Sequence, residues 1–237
     1  MAFLLDGACL ILQWYSNEVL MPTNLPPVTR NLLIANIVVF LLQQVMNDPL
    51  IAHFALWPLG PDQLAQAADG SAISIGFRPW QLVTYAFMHG GYMHIFFNMF
   101  ALYMFGGTIE RTFGSRNFTV YYFVCLLFAA FAQLLVVKYY THSFAPTLGA
   151  SGAIFGLLLA FGMLYPQEKV MLLFPPIPMP AWLFVIGYGA LELVLGVSGW
   201  QADVAHFAHL GGMLGGFLMI EYWRGKFPIK PKRQLMR

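Results

Sequence analysis

Six stretches of this chain, at about residues 31–47, 91–108, 117–138, 150–165, 180–198 and 204–223, are apolar over most of the roughly 20 residues a helix needs to cross a bilayer. Hydrophobic residues make up 59% of the 237 and charged residues only 9%, whereas a soluble domain carries roughly 25% charged residues. A water-facing surface cannot be built from this composition. The pattern predicts an all-α integral membrane protein, a bundle of six transmembrane helices. Its first two spans are joined by a long structured loop, Asn47 to Gly90, which holds Pro49, Pro58, Pro61, Asp69-Gly70 and Pro79 beside Trp57 and Trp80. Turn residues mixed with amphipathic aromatics suit a loop in the membrane interface. The fourth span is short for a full crossing unless it begins below the surface.

Basic residues set the orientation. With both termini cytoplasmic, the inner side holds ten: Arg30, Arg111, Arg116, Lys169, Arg224, Lys226, Lys230, Lys232, Arg233 and Arg237. The outer side holds two, Arg78 and Lys138. This is a strong positive-inside bias, expected of a multi-pass protein of the cell membrane whose constant partner is the lipid bilayer. The domain reading is 1–28 as a cytoplasmic N-terminal segment, 29–224 as the membrane domain and 225–237 as a basic cytoplasmic tail. The tail lies on the anionic inner leaflet. No nucleic-acid partner is expected, and the oligomeric state is left open.

Residues 1–20 are broken by Asp6 and Glu18 and lack the basic start and cleavage site of a secretory signal. They read as a surface appendage or an extension upstream of Met21. Two cysteines, Cys9 and Cys125, make no disulfide framework.

Polar groups at membrane depth are expensive and mark functional sites. Ser151 lies in the run Gly149-Ala150-Ser151-Gly152, where glycines allow a sharp turn and a close approach. A helix starting near it would aim free backbone N–H groups at a developing oxyanion. Taken alone, Gly152 and Gly156 also make a Gly-x-x-x-Gly contact face. His209 opens the sixth span, with Gly212 and Gly216 on its face. That face can press on Gly152 and Gly156 and bring imidazole to hydroxyl, the smallest pairing that makes a serine nucleophilic. In His89-Gly-Gly-Tyr-Met-His94-Ile-Phe-Phe-Asn98, His94 and Asn98 share a helix face. They supply the N–H donors of an oxyanion hole, with His89 at the helix entry in support.

Together, His89-x4-His94-x3-Asn98, Gly149-Ala-Ser151-Gly152 and Ala208-His209-Leu-Gly-Gly212 resemble the rhomboid intramembrane serine proteases, in the six-span bacterial form. Pro79-Trp80 and Gly107-x-x-Glu110-Arg111-x-x-Gly114 support the match, which runs from about Asn24 to Arg224. The resemblance implies Ser151 as nucleophile and His209 as general base, with His94, Asn98 and the Ser151 N–H holding the oxyanion. It implies Phe155, four residues after the serine, as the ring packed on the histidine, where relatives often carry tyrosine. The expected machinery is a dyad with no acidic third member, because Asp6, Asp48, Asp62, Asp69 and Asp203 all lie outside the spans. Glu192, well inside the fifth span, reads as a packing hydrogen-bonder, and His206 as facing the outer loop or bonding locally.

The implied activity is hydrolysis in or near the transmembrane segment of single-span membrane proteins, with helix-weakening residues and a small side chain before the cut. The implied gate is the fifth span with the loop 199–203. Trp182, Phe184 and Tyr188 are gate or lipid-facing residues. No cofactor and no metal are expected. Two rivals are weighed. One is an inactive relative that binds or escorts membrane proteins. The other is a metal site or transporter built on His89, His94, His206 and His209, which lacks an acidic partner on this reading.

Overall fold

The computed structural model describes residues 25–171, 177–198 and 205–231. The expected appendage 1–20, the whole gate loop 199–203 and the end of the basic tail lie outside the described residues.

Helix α1 (Pro27–Phe54) opens on Pro27, which suits a first helical turn because its missing N–H would have no partner there. It bends at Met46 (φ −131°, ψ 44°). The cause is Pro49, which lacks the N–H for the i→i−4 bond and crowds the carbonyl four residues back. The helix resumes and runs to Phe54, seven residues beyond the expected end at 47. The connection that follows is therefore shorter than the sequence reading had it.

That connection is not purely helical. An antiparallel hairpin, β1 (Gln63–Gln66) with β2 (Ala72–Ile75), pairs Gln63 with Ile75 and Gln66 with Ala72. Its turn uses Gly70 at φ +85°, while the Asp69 carboxylate accepts from the Ser71 N–H at 2.9 Å. A second pair, β3 (Lys169–Met171) with β4 (Pro178–Pro180), follows the fourth apolar stretch. The all-α expectation is corrected to this extent. Segments too rich in proline and turn residues to continue a helix must still pair their backbone groups, and short hairpins do so.

The first connection is held as a unit. Gln81, wholly buried, opens the single-turn helix α2 (Gln81–Thr84). Its Oε1 accepts from the Trp57 and Arg78 N–H groups, and its Nε2 donates to the Gly76 and His53 carbonyls. Arg78 grips Asp62 in a fork at 2.9 and 2.6 Å, and this hydrogen-bonded guanidinium holds the Asp62 carboxyl below its usual range. Trp57, Ala52 and Ile75 form a small core under the hairpin.

Beyond α2 come α3 (Tyr92–Ala101), a π-helical turn (Leu102–Gly106) and α4 (Gly107–Phe113) in near-continuous succession. Then follows α5 (Ser115–Val136), extended by another π turn (Val137–Thr141). The buried Glu110 joins three elements. It accepts from the Val28 and Thr29 N–H groups and the Thr29 and Ser115 hydroxyls. A carboxylate at two helix starts satisfies donors that have no intrahelical partner.

Helix α5 sits at the centre: Phe118, Tyr121, Tyr122, Cys125, Leu126, Ala129 and Ala130 are all fully buried. Against it pack α6 (Ser151–Leu164) and α8 (His206–Trp223), while α7 (Ala181–Ser198) buries only Ala181, Val185 and Glu192. By length and composition, three helical segments are able to cross a membrane among the described residues: Pro27–Phe54, Ser115–Thr141 and Ala181–Ser198. Their outward faces carry large apolar side chains, such as Leu41, Val45, Phe131, Leu135, Ile186 and Val194. That is the surface of a protein solvated by lipid rather than water.

Candidate active site

Helix α6 begins at Ser151, with 14 residues and a length of roughly 21 Å at 1.5 Å per residue. The approach to it is fixed at two points. Leu56 and Thr147 exchange backbone hydrogen bonds at 3.1 and 2.9 Å, and the Gly149 N–H donates to the Tyr85 carbonyl at 3.0 Å. Gly149 has φ +108°, and a Cβ there would stand 2.7 Å from Nε2 of His94. Conformation and space both demand glycine at this position. The chain thus turns sharply and delivers Ser151 as the first helical residue. The Ile154 N–H donates to the Ala150 carbonyl at 3.1 Å, so the N–H groups before it belong to the open first turn.

Helix α8 comes up beside α6 with almost no gap. A Cβ on Gly212 would run into the carbonyl of Gly152, and one on Gly152 would run into Ala129 on α5. Backbone therefore lies against backbone, as glycine-lined helix seams permit. Across this seam Nε2 of His209 stands 2.8 Å from Oγ of Ser151, although the two are 58 residues apart in the chain. His209 is 8% exposed and Ser151 only partly buried.

The ring of Phe155 stacks on the His209 imidazole, with centroids 4.2 Å apart and planes 5° from parallel. Tyr188 of α7 packs next to Phe155 at 5.3 Å, and Phe184 stacks on Tyr188. These two rings, expected as gate or lipid-facing residues, form an aromatic column leading to the histidine. Trp182 is 43% exposed on the same helix.

One expectation is overturned by a side chain. Oε2 of Glu192 lies 2.9 Å from Nδ1 of His209 and 2.7 Å from Nδ1 of His206, with all three residues buried. A carboxylate only accepts, so each Nδ1 donates. His209 then presents its Nε2 lone pair to the Ser151 hydroxyl. His209 does have an acidic partner, and His206 is bonded inside the bundle rather than to the outer loop. The sequence held both signals, a lone carboxylate deep in an apolar span and two histidines one turn apart. What it lacked was the crossing of α7 and α8 that joins them.

The other predicted residues fall as follows. His94 on α3 accepts from the Gly90 N–H at Nδ1 (3.2 Å) and lies over Gly149. Asn98, 6% exposed, donates from Nδ2 to the His94 carbonyl at 2.8 Å, and its Oδ1 has no partner among the described residues. His89 is buried, its ring 5.1 Å from that of His94, and the Gln43 side chain clasps its backbone N–H and carbonyl at 2.9 and 3.2 Å. Gly216, expected to face α6, instead meets Tyr121 and Cys125 of α5. Residues not singled out from sequence also build the site: the Tyr85 hydroxyl donates to the Leu126 carbonyl and the Tyr121 hydroxyl to the Gly156 carbonyl.

Among the described residues, the group able to hold a metal is Glu192, His206 and His209, whose donor atoms lie within 4.8 Å of one another. This differs from the four-histidine set weighed from sequence. Oε2 of Glu192 is already hydrogen-bonded to the Nδ1 atoms of both histidines.

The family model described as the rhomboid domain matches residues 76–225. The chain is 27% identical over 227 residues to RHOMBOID-like protein 6, mitochondrial, of Arabidopsis thaliana, covering 81% of this chain and 66% of that protein. It is 33% identical over 134 residues to Rhomboid protein 1, mitochondrial, of Saccharomyces cerevisiae, covering 56% and 38%. It is 26% identical over 201 residues to Rhomboid protease GlpG of Klebsiella pneumoniae, covering 83% and 63%. In each case the matched part is less than two thirds of the relative's own length.

Proposed function

The chain belongs to the rhomboid family, and from that premise we propose that it is an intramembrane serine endopeptidase. Its substrates are single-span membrane proteins, cut in or near the transmembrane segment. The observation that carries the reading is the 2.8 Å contact between Oγ of Ser151 and Nε2 of His209. A hydroxyl held on a lone pair of imidazole is a nucleophile in waiting.

In the proposed cycle the Ser151 oxygen attacks the scissile carbonyl carbon while its proton passes to Nε2 of His209. The tetrahedral intermediate collapses, the C–N bond breaks, and His209 returns the proton to the departing amine. A water then attacks the acyl ester with His209 again as base, releasing the carboxylic acid and restoring the hydroxyl. The oxyanion is held by the Ser151 backbone N–H with His94 and Asn98. Unpaired N–H groups at a helix start are already aimed at the developing charge and need no reorganisation when it forms.

The topology that fits is six spans with both termini cytoplasmic, in the cell membrane. The 14 residues of α6 are too few for a bilayer core of about 30 Å. Ser151 therefore sits below the outer surface, where a wet cavity would supply the hydrolytic water. Substrate helices must unwind to be cut, so helix-weakening residues and a small side chain before the cleaved bond are expected. Cleavage of a single-span reporter in proteoliposomes tests the reading. The wild type should release product and Ser151→Ala should not; product from Ser151→Ala, or none from the wild type, would refute it.

A further inference from the structure

A carboxylate within an apolar span is costly unless its bonds are made. Glu192 makes two, both through Oε2 and both to Nδ1 of a histidine on α8. On α7 it is one of three buried residues, beside Ala181 and Val185. The ring of His206 is buried, its Nε2 has no partner among the described residues, and its hydrogen bond goes to Glu192. Among the described residues the polar contact of the ring is with Glu192, so its bond serves the carboxylate.

The consequences fall on His209. Stacking on Phe155 holds the plane of the imidazole but is equally compatible with a half-turn of the ring about Cβ–Cγ, which leaves that plane unchanged. A hydrogen bond at Nδ1 removes that rotation. It also fixes the tautomer, because a proton held at Nδ1 leaves Nε2 as the acceptor facing Ser151. When Nε2 takes the serine proton, the imidazolium that forms already has a carboxylate beside it. That is the role an acidic residue plays in a hydrolytic triad, here supplied from a neighbouring helix by a glutamate.

We propose that Glu192 is a positioning residue for His209, fixing its tautomer and orientation, and that His206 holds the Glu192 carboxylate in place. The proposal rests on the catalytic reading above and adds a third member to the expected dyad. It commits to a hydrogen-bonded trio rather than a metal site, since the carboxylate oxygen already stands within bonding distance of both rings.

The test uses the full chain in proteoliposomes with a single-span reporter. Glu192→Gln keeps the shape and a weaker acceptor but loses the charge, so kcat should fall about 10²-fold with KM within about threefold. Glu192→Asp should recover part of that loss, and His206→Leu should lower kcat about tenfold by freeing the carboxylate. A purely structural residue would reduce the amount of folded protein and leave kcat per folded molecule unchanged. An independent readout needs no turnover. In protein with 15N-labelled histidine carrying Ser151→Ala, adding Glu192→Gln should move the His209 Nδ1 resonance toward a mixture of tautomers. Wild-type kcat in Glu192→Gln, or an unmoved His209 spectrum, would overturn the proposal. Cleavage by Ser151→Ala alone would instead overturn the catalytic reading beneath it.

Discussion

Gly212 of α8 lies so close to Gly152 of α6 that no side-chain atom fits between its Cα and the Gly152 carbonyl. The serine and histidine meet because those two backbones do. Their separation is set by the seam, not by the reach of either side chain.

Gly212→Ala should therefore act on both stability and geometry. The added methyl must push α8 away, at a cost of about 1–3 kcal/mol for an overpacked core, and the 2.8 Å contact opens with it. We expect a lowered unfolding midpoint in detergent and at least a 10²-fold loss of reporter cleavage, about what one misplaced catalytic group costs. An alanine variant with wild-type activity would show that the seam has slack.

Gly149→Ala meets two obstacles, a backbone at φ +108° and the His94 ring. Even a modest shift of His94 disturbs the proposed oxyanion hole. Activity should fall further than stability does, which paired thermal-melting and cleavage measurements would resolve. Equal small changes in both would argue that His94 has no part in the reaction.

Asn98→Ala removes a proposed oxyanion donor and should lower kcat by about 10²–10³-fold, the usual cost of one such group. In this structure Asn98 Nδ2 donates to its own helix at the His94 carbonyl, so substrate must recruit its second N–H. An unchanged rate would remove Asn98 from the site.

Phe155→Tyr should be tolerated, because the stacking surface on His209 persists. Phe155→Ala loses an aromatic pair worth about 0.5–1.5 kcal/mol beyond its buried area. Steady-state rates of the two variants should differ by roughly tenfold.

Gln81→Leu addresses the connection between α1 and α3. It would leave the Trp57 and Arg78 N–H groups and two carbonyls without their partner. Leaving buried polar groups unpaired costs about 1–3 kcal/mol each. The midpoint of unfolding should drop markedly, and proteolysis near residues 57–80 should quicken before the helices are cut.

Much of this was readable in the chain, for definable reasons. Ser151 opens its helix because Gly149 and Gly152 mark a turn and a close contact, signals carried by local residue types. The pairing of Gly212 with Gly152 followed from matched glycines on two apolar stretches. Gly216 did not follow, because the period of a helix gives a face without saying which neighbour fills it; Tyr121 of α5 does. The bend at Met46 reads from sequence as an end, since Pro49 stops some helices and only kinks others. The hairpin 63–75 hid in a stretch read as loop. Glu192 reads as a hydrogen-bonder from its place in an apolar span, but which donors it meets depends on how α7 crosses α8, a tertiary fact with no local trace.

The central claim is that His209 activates Ser151. Mass spectrometry of the full chain in bilayers, after reaction with a serine-directed fluorophosphonate, tests it most directly. The account predicts one adduct on the wild type, located at Ser151, absent in Ser151→Ala and formed at least 10²-fold more slowly in His209→Ala, the scale of a lost general base. An adduct at another residue, or equal labelling of Ser151 with and without His209, would contradict it.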